Sequence, residues 1–143
     1  MIGPWTTRSE EETRAVGERI AAALGPRGRC LLFGEMASGK TVLAQGIARG
    51  LGIDPREVQS PTFTLVREHR CPRARLLHLD LHRLDAADVD SLGLEELLSA
   101  DAFVVVEWAE RLPAAWRSGA RAFHLERAPD GGREIREIAP VRV

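Results

Sequence analysis

Eight consecutive residues, Gly34-Glu35-Met36-Ala37-Ser38-Gly39-Lys40-Thr41, carry the spacing G-x-x-x-x-G-K-[ST]. That spacing suits a loop that cradles a polyphosphate. The first N–H groups of a helix lack intrahelical partners and converge on one point, where the helix dipole adds positive potential. Gly34 and Gly39 let the main chain turn and approach an anion closely. Lys40 is placed to reach the β- and γ-phosphates and the Thr41 hydroxyl to ligate Mg²⁺, while Glu35, Met36, Ala37 and Ser38 fill the rest of the nucleotide-binding loop. Of 20 cationic side chains Lys40 is the only lysine. A compact ammonium on a flexible stem is chemically unlike a guanidinium fork, so a lysine kept at this one position points to a specific task.

Magnesium takes hard oxygen ligands and keeps some of its waters. A second acid, often at the end of a buried strand, completes such a site. Two residues qualify. Glu107 closes the run Phe103-Val104-Val105-Val106 and is by position the better metal partner for Thr41. Asp80, within Leu77-His78-Leu79-Asp80-Leu81, is placed to orient an attacking water or to hold the metal's water shell. Lys40, Asp80 and Glu107 form the candidate catalytic set; the plainer alternative for each acid is a solvated strand end. His78, Asp80 and His82 share one strand face and so permit a transition-metal reading, although three positions on a flat strand converge poorly on one ion.

These residues need strands and helices to hold them. Ser9 to Leu24 reads as a helix, with Ser9 and Glu12 as a capping-box pair, Val16, Ile20, Ala23 and Leu24 as its apolar face, and Gly25-Pro26 as its stop. Cys30 to Phe33 reads as a buried strand, and Thr41 to Leu51 as a helix bearing Val42, Leu43, Ile47 and Leu51. Strand, loop, helix is the context that the phosphate-loop spacing requires. Thr62 to Arg67 and Arg75 to Arg83 read as strands, the second placing Leu77, Leu79 and Leu81 on one face and His78, Asp80 and His82 on the other. Asp88 to Leu98 is expected to be helical and Asp101 to Trp108 to contain a buried strand. Arg121 to Arg127 and Arg133 to Val141 flank Pro129-Asp130-Gly131-Gly132 as a hairpin. The expectation is one α/β domain over residues 1–143: a three-layer P-loop NTPase-like arrangement, with a mixed, mostly parallel sheet and an antiparallel C-terminal hairpin.

The totals agree. A chain of 143 residues suits one domain. A net charge of −1 speaks against a whole-surface grip on nucleic acid. No stretch approaches a membrane span, and residues 1–12 are polar and acidic where a signal peptide would be apolar, so a cytoplasmic protein is expected. Cys30 and Cys71 form no C-x-x-C pair and read as reduced thiols.

The chain from about Ser9 to Ile138 resembles the bacterial ATPase family of tRNA threonylcarbamoyladenosine biosynthesis, called TsaE or YjeE. The resemblance is carried by the phosphate loop Gly34 to Thr41, Ser60-Pro61-Thr62-Phe63, His78-Leu79-Asp80-Leu81-His82-Arg83-Leu84, Leu92-Gly93, and Glu107-Trp108 followed by Glu110-Arg111. It implies an enzyme that binds and hydrolyses Mg-ATP. In the family's terms Thr41 and Glu107 hold Mg²⁺, Ser60 and Thr62 belong to a switch segment that senses the γ-phosphate, Asp80 lies in the catalytic surroundings, and Trp108 flanks the nucleotide. Two partner proteins are implied, the threonylcarbamoyl-transfer subunit and its paralogue, with indirect tRNA association. The modification falls on the adenosine at position 37 of tRNAs reading codons that begin with A, and ATP hydrolysis resets the complex between rounds. The guanine-reading N-K-x-D motif of common GTPases has no counterpart in a chain without asparagine, which favours ATP. The family usually has glycine at Ala37 and tyrosine at His82; a left-handed Ala37 would add strain and slow turnover, and His82 lacks a phenol's hydrogen bond. Two other readings stand beside this one: a small P-loop kinase, with Arg67, Arg70, Arg73 and Arg75 imitating an arginine-rich lid, and an ATP-sensing scaffold that does not hydrolyse.

Overall fold

A computed structural model of the chain describes residues 1–35, 37–58, 66–81, 93, 96–97, 99–113, 117 and 119–139. Strand β1 (Trp5–Thr7) leads into helix α1 (Glu10–Leu24). Ser9 caps α1, its Oγ accepting the Glu12 N–H at 3.1 Å. The Glu12 carboxylate reaches back to the Arg8 N–H at 3.4 Å, a reciprocal pair of the kind expected from Ser9 and Glu12 but displaced by one residue. Gly25, at φ 79°, ends the helix. The buried face of α1 is Thr13, Val16, Gly17, Ile20 and Ala21. Ala23, expected on that face, is exposed.

Strand β2 (Arg29–Phe33) follows, then the loop to helix α2 (Lys40–Gly50). Helices α1 and α2 pack closely because glycines leave room. A Cβ on Gly17 would lie 2.5 Å from the Leu43 carbonyl oxygen, and one on Gly46 would lie 2.1 Å from that of Arg14. The remaining strands are β3 (Val66–Cys71), β4 (Ala74–Asp80), β5 (Phe103–Glu107), β6 (Arg121–Arg127) and β7 (Arg133–Ile138), with 3₁₀ turns at Pro55–Glu57 and Ala109–Arg111.

The seven strands among the described residues form one sheet in the order β1-β7-β6-β2-β5-β4-β3. Its centre, β6-β2-β5-β4, is parallel; β7 and β1 on one side and β3 on the other pair antiparallel. The mixed sheet and the C-terminal hairpin are as expected. The second antiparallel flank arises because Arg67 to Arg75 is a tight hairpin, pairing Arg67 with His78 and Arg70 with Arg75. Of the strand expected at 62–67, only its last two residues are described, and β3 continues to Cys71.

Each face of the sheet carries its own core. Cys30, Leu32, Leu76, Phe103, Val105, Phe123, Leu125 and Ile135 pack under α1 and α2. On the opposite face Leu31, Leu77, Leu79, Leu81, Val104, Val106 and Ala122 are covered by Ala102, Ala109, Leu112 and Ala120, with Leu97 and Ala100 against them. The alternation read in β4 therefore holds, but both of its faces are covered, as expected of a strand inside a parallel sheet. Most of the helix expected at 88–98 lies outside the described residues. Among the described residues no helix is long and apolar enough to cross a membrane.

Candidate nucleotide site

The parallel strands β2, β4 and β5 end side by side, and open α/β sheets bind ligands at such strand ends. Register puts Leu32 opposite Glu107, and Asp80 opposite Glu107. The loop leaving β2 therefore passes over two carboxylates before α2 begins. Gly34 is irreplaceable in this geometry: a Cβ there would meet the Leu125 carbonyl oxygen at 2.4 Å and Ser38 Oγ at 2.8 Å. Gly39 adopts a left-handed conformation at φ 105° and starts α2.

Lys40 is buried, with 4% of its surface exposed. Its ammonium donates to the Gly34 carbonyl and lies 3.7 Å from the ring centroid of Trp108, a cation–π contact. Burial pulls the Lys40 pKa below the ordinary lysine value, and Glu110, Glu107 and Asp80 oppose that shift. One turn into the site, Thr41 Oγ1 donates to Glu107 at 3.1 Å from Oε1 and 3.3 Å from Oε2. His78 Nε2 bonds Oε2 of the same carboxylate. Asp80 and Glu107 are 3% and 2% exposed, so both acids are held inside the fold rather than solvated at strand ends.

A cavity of about 610 Å³ opens above these groups. Ala37, Gly39, Lys40, Thr41, Asp80, Glu107 and Trp108, all singled out in the sequence, line it together with Val42. Ser38 lies buried behind the loop, its Oγ without a partner among the described residues. Glu35 faces away, into a second, more open groove with Phe33, His124 and Ile138; Trp108 stands between the two. Met36, Ser60, Thr62 and His82 lie outside the described residues. The transition-metal reading includes His82, which lies outside the described residues; among the described ones His78 bonds Glu107, and no group of three or more His, Cys, Asp or Glu could hold a metal.

Sequence reasoning missed part of the lining. Thr7, Arg8, Ser9, Glu10 and Thr13 line the cavity from the β1–α1 junction, and Gly131, Gly132 and Arg133 line it from the β6–β7 turn. Arg133 Nε lies 3.8 Å from where a Cβ on Gly39 would sit. These segments are separated from the loop by tens of residues, and no local pattern in them signals a ligand. The hydrogen bond of His78 was missed likewise, since only strand register brings it to Glu107.

The donor set fits a nucleotide and a magnesium ion. A buried ammonium and an oxygen pair from Thr41 and Glu107 meet in a cavity of nucleotide size, beside a loop in which Gly34 leaves no room for a side chain.

Residues 7–135 match the family model "Threonylcarbamoyl adenosine biosynthesis protein TsaE". The chain belongs to the TsaE family. A curated relative, the tRNA threonylcarbamoyladenosine biosynthesis protein TsaE of Bacillus subtilis (strain 168), is 36% identical over 92% of this chain and 82% of its own length. The TsaE of Treponema pallidum (strain Nichols) is 34% identical over 90% of this chain and 95% of its own. The crystal structure of YdiB, described as from "Bacillus subtilus", superposes with a TM-score of 0.74 at 30% identity, covering 98% of this chain and 86% of that one. The resemblance drawn from the sequence and the α/β P-loop fold of TsaE proteins therefore hold for this chain.

Proposed function

We propose that this TsaE-family protein binds Mg-ATP in the cavity above Lys40 and hydrolyses it as the ATPase component of the system that forms threonylcarbamoyladenosine at position 37 of tRNA. The observation that carries the reading is the hydrogen bond from Thr41 to Glu107 beside the buried Lys40 ammonium. Thr41 and Glu107 would hold Mg²⁺, which when bound neutralises charge on the β- and γ-phosphates. Backbone N–H groups between Ala37 and Thr41 bind phosphate oxygens. Lys40, pre-placed by Gly34 and Trp108, exchanges its carbonyl contact for one to phosphate. Asp80 orients the attacking water. Ser60 and Thr62 act as the switch that senses the γ-phosphate. The β1–α1 junction and the β6–β7 turn, which line the same cavity, receive the nucleoside.

Phosphoryl transfer depends mainly on positioning and charge stabilisation. A partner surface that covers the cavity would exclude water from it. The partners are the threonylcarbamoyl-transfer subunit and its paralogue, acting in the cytoplasm, with tRNA engaged through them. Steady-state ATP turnover of the protein by itself and with both partners tests this: several-fold stimulation is expected, and equal rates remove the proposed cycle.

The small-kinase reading has lost its feature, because the arginines at 67–75 form a sheet-edge hairpin that does not line the cavity. One observation favours a second reading, ATP sensing without turnover: Ala37 stands at φ 62°, strained for a residue with a Cβ. A turnover assay that stays blank with both partners present, in protein that binds ATP, selects it.

A further inference from the structure

His78 lies within β4 and has no exposed surface. Its Nε2 is bonded to Oε2 of Glu107, and its Nδ1 has no partner among the described residues. Register explains the reach. Asp80 is opposite Glu107 and His78 is opposite Val105, so His78 approaches the carboxylate from one pair further back along the same face. An imidazole that meets a carboxylate on one nitrogen and nothing on the other carries its proton on the bonded nitrogen. The terminal torsion of a glutamate is broad and soft. A carboxylate at a strand end would therefore rotate unless donors fix its plane, and here two donors do so, Thr41 Oγ1 and His78 Nε2.

We propose that His78 is a positioning residue for the cation site, its Nε2–H pinning Oε2 of Glu107 so that Oε1 stays turned toward the Thr41 hydroxyl and the cavity. This rests on the reading of Thr41 and Glu107 as magnesium ligands. The arrangement is the inverse of the usual one, in which a carboxylate orients a ligating histidine; here a histidine orients a ligating carboxylate, and partners behind metal ligands commonly govern affinity. His78 touches no reacting atom in this scheme.

The test uses Mn²⁺, visible by electron paramagnetic resonance, titrated into the full chain with ADP. His78→Leu keeps the bulk and removes the donor; His78→Gln keeps an N–H near the place of Nε2. Mn²⁺ affinity should fall about tenfold or more in the leucine variant and stay within about threefold of wild type in the glutamine variant. ADP affinity in the presence of EDTA should be the same in all three. Equal Mn²⁺ affinity in wild type and a folded His78→Leu protein overturns the proposal. A wild-type protein that binds no ADP with or without metal instead removes the nucleotide-site reading underneath it. If the leucine variant does not fold, the imidazole nitrogen NMR shifts of the wild-type protein decide: an Nε2-protonated His78 is expected, and an Nδ1-protonated ring overturns the assignment.

Discussion

Two neighbouring regions, the α1–α2 pair and the loop from Gly34 to Thr41, treat polar groups and backbone geometry in contrary ways. In the helix pair Ser9 caps α1, Gly25 ends it in a conformation natural to glycine, and Gly17 and Gly46 let the two backbones touch. In and beside the loop, Ser38 buries a hydroxyl with no partner among the described residues, Lys40 buries an ammonium, and Asp80 and Glu107 bury carboxylates. Among the described residues two that are not glycine have positive φ, Ala37 at 62° and Trp108 at 58°, and both border the cavity. Strain and half-satisfied polar groups gather where function needs preorganisation, and the surrounding structure must supply the stability to hold them. The helix pair supplies part of that support, since α1 fixes α2 and α2 begins at Lys40.

The comparison breaks most visibly at Gly46. A Gly46→Ala side chain would meet the Arg14 carbonyl and force the helices apart, at a cost of about 3 kcal/mol. Urea denaturation should report the loss, and the folded fraction should lose less nucleotide affinity than the Lys40→Met protein. Lys40→Met inverts the pattern. Nucleotide affinity should fall roughly 100-fold or more, as when a charge-assisted hydrogen bond is removed, yet unfolding stability should hold or rise because a buried charge is gone. Calorimetric titration and melting curves on the same sample separate the two effects.

Ala37→Gly sharpens the comparison from the other side. It removes a left-handed Cβ and should raise stability by about 1 kcal/mol, read as a higher melting temperature; ATP turnover should rise with it if strain at Ala37 slows the reaction. The smallest effect is expected remote from both regions. Hydrogen bonding from Arg121 holds the Glu137 carboxyl below the ordinary glutamate value; burial opposes this, and the Ile2 N–H adds to it. A lowered folded pKa means that this stabilisation is present above the unfolded value and fades as pH falls through the folded one. Glu137→Gln should cost about 0.5 kcal/mol at neutral pH and flatten the loss of stability on acidification, leaving nucleotide binding unchanged.

Much of this division was legible in the sequence, because its signals are local. The phosphate-loop spacing, the Ser9 cap, the alternation of β4 and the apolar run of β5 are each contained in a dozen residues or fewer. What was not legible depends on distant segments meeting. Trp5–Thr7 becomes a strand only because β7 offers it an edge. The hairpin at Arg67–Arg75 has no clear local signal because its charged residues alternate weakly. Thr7, Arg8 and Arg133 reach the cavity only through the order of strands in the sheet. For His78 the face was read correctly and the partner was not, since choosing between a metal and Glu107 requires the register of β4 against β5.

The central claim is that Lys40, Thr41 and Glu107 form one magnesium–nucleotide site. Calorimetric titration of ATP into the wild-type protein, with Mg²⁺ and then with EDTA, tests it most directly. The account predicts micromolar binding with Mg²⁺, weaker binding in EDTA, and a Glu107→Gln protein that retains the EDTA affinity but gains little from Mg²⁺. No measurable ATP binding by folded wild-type protein, or a Mg²⁺ increment unaltered in Glu107→Gln, would contradict it.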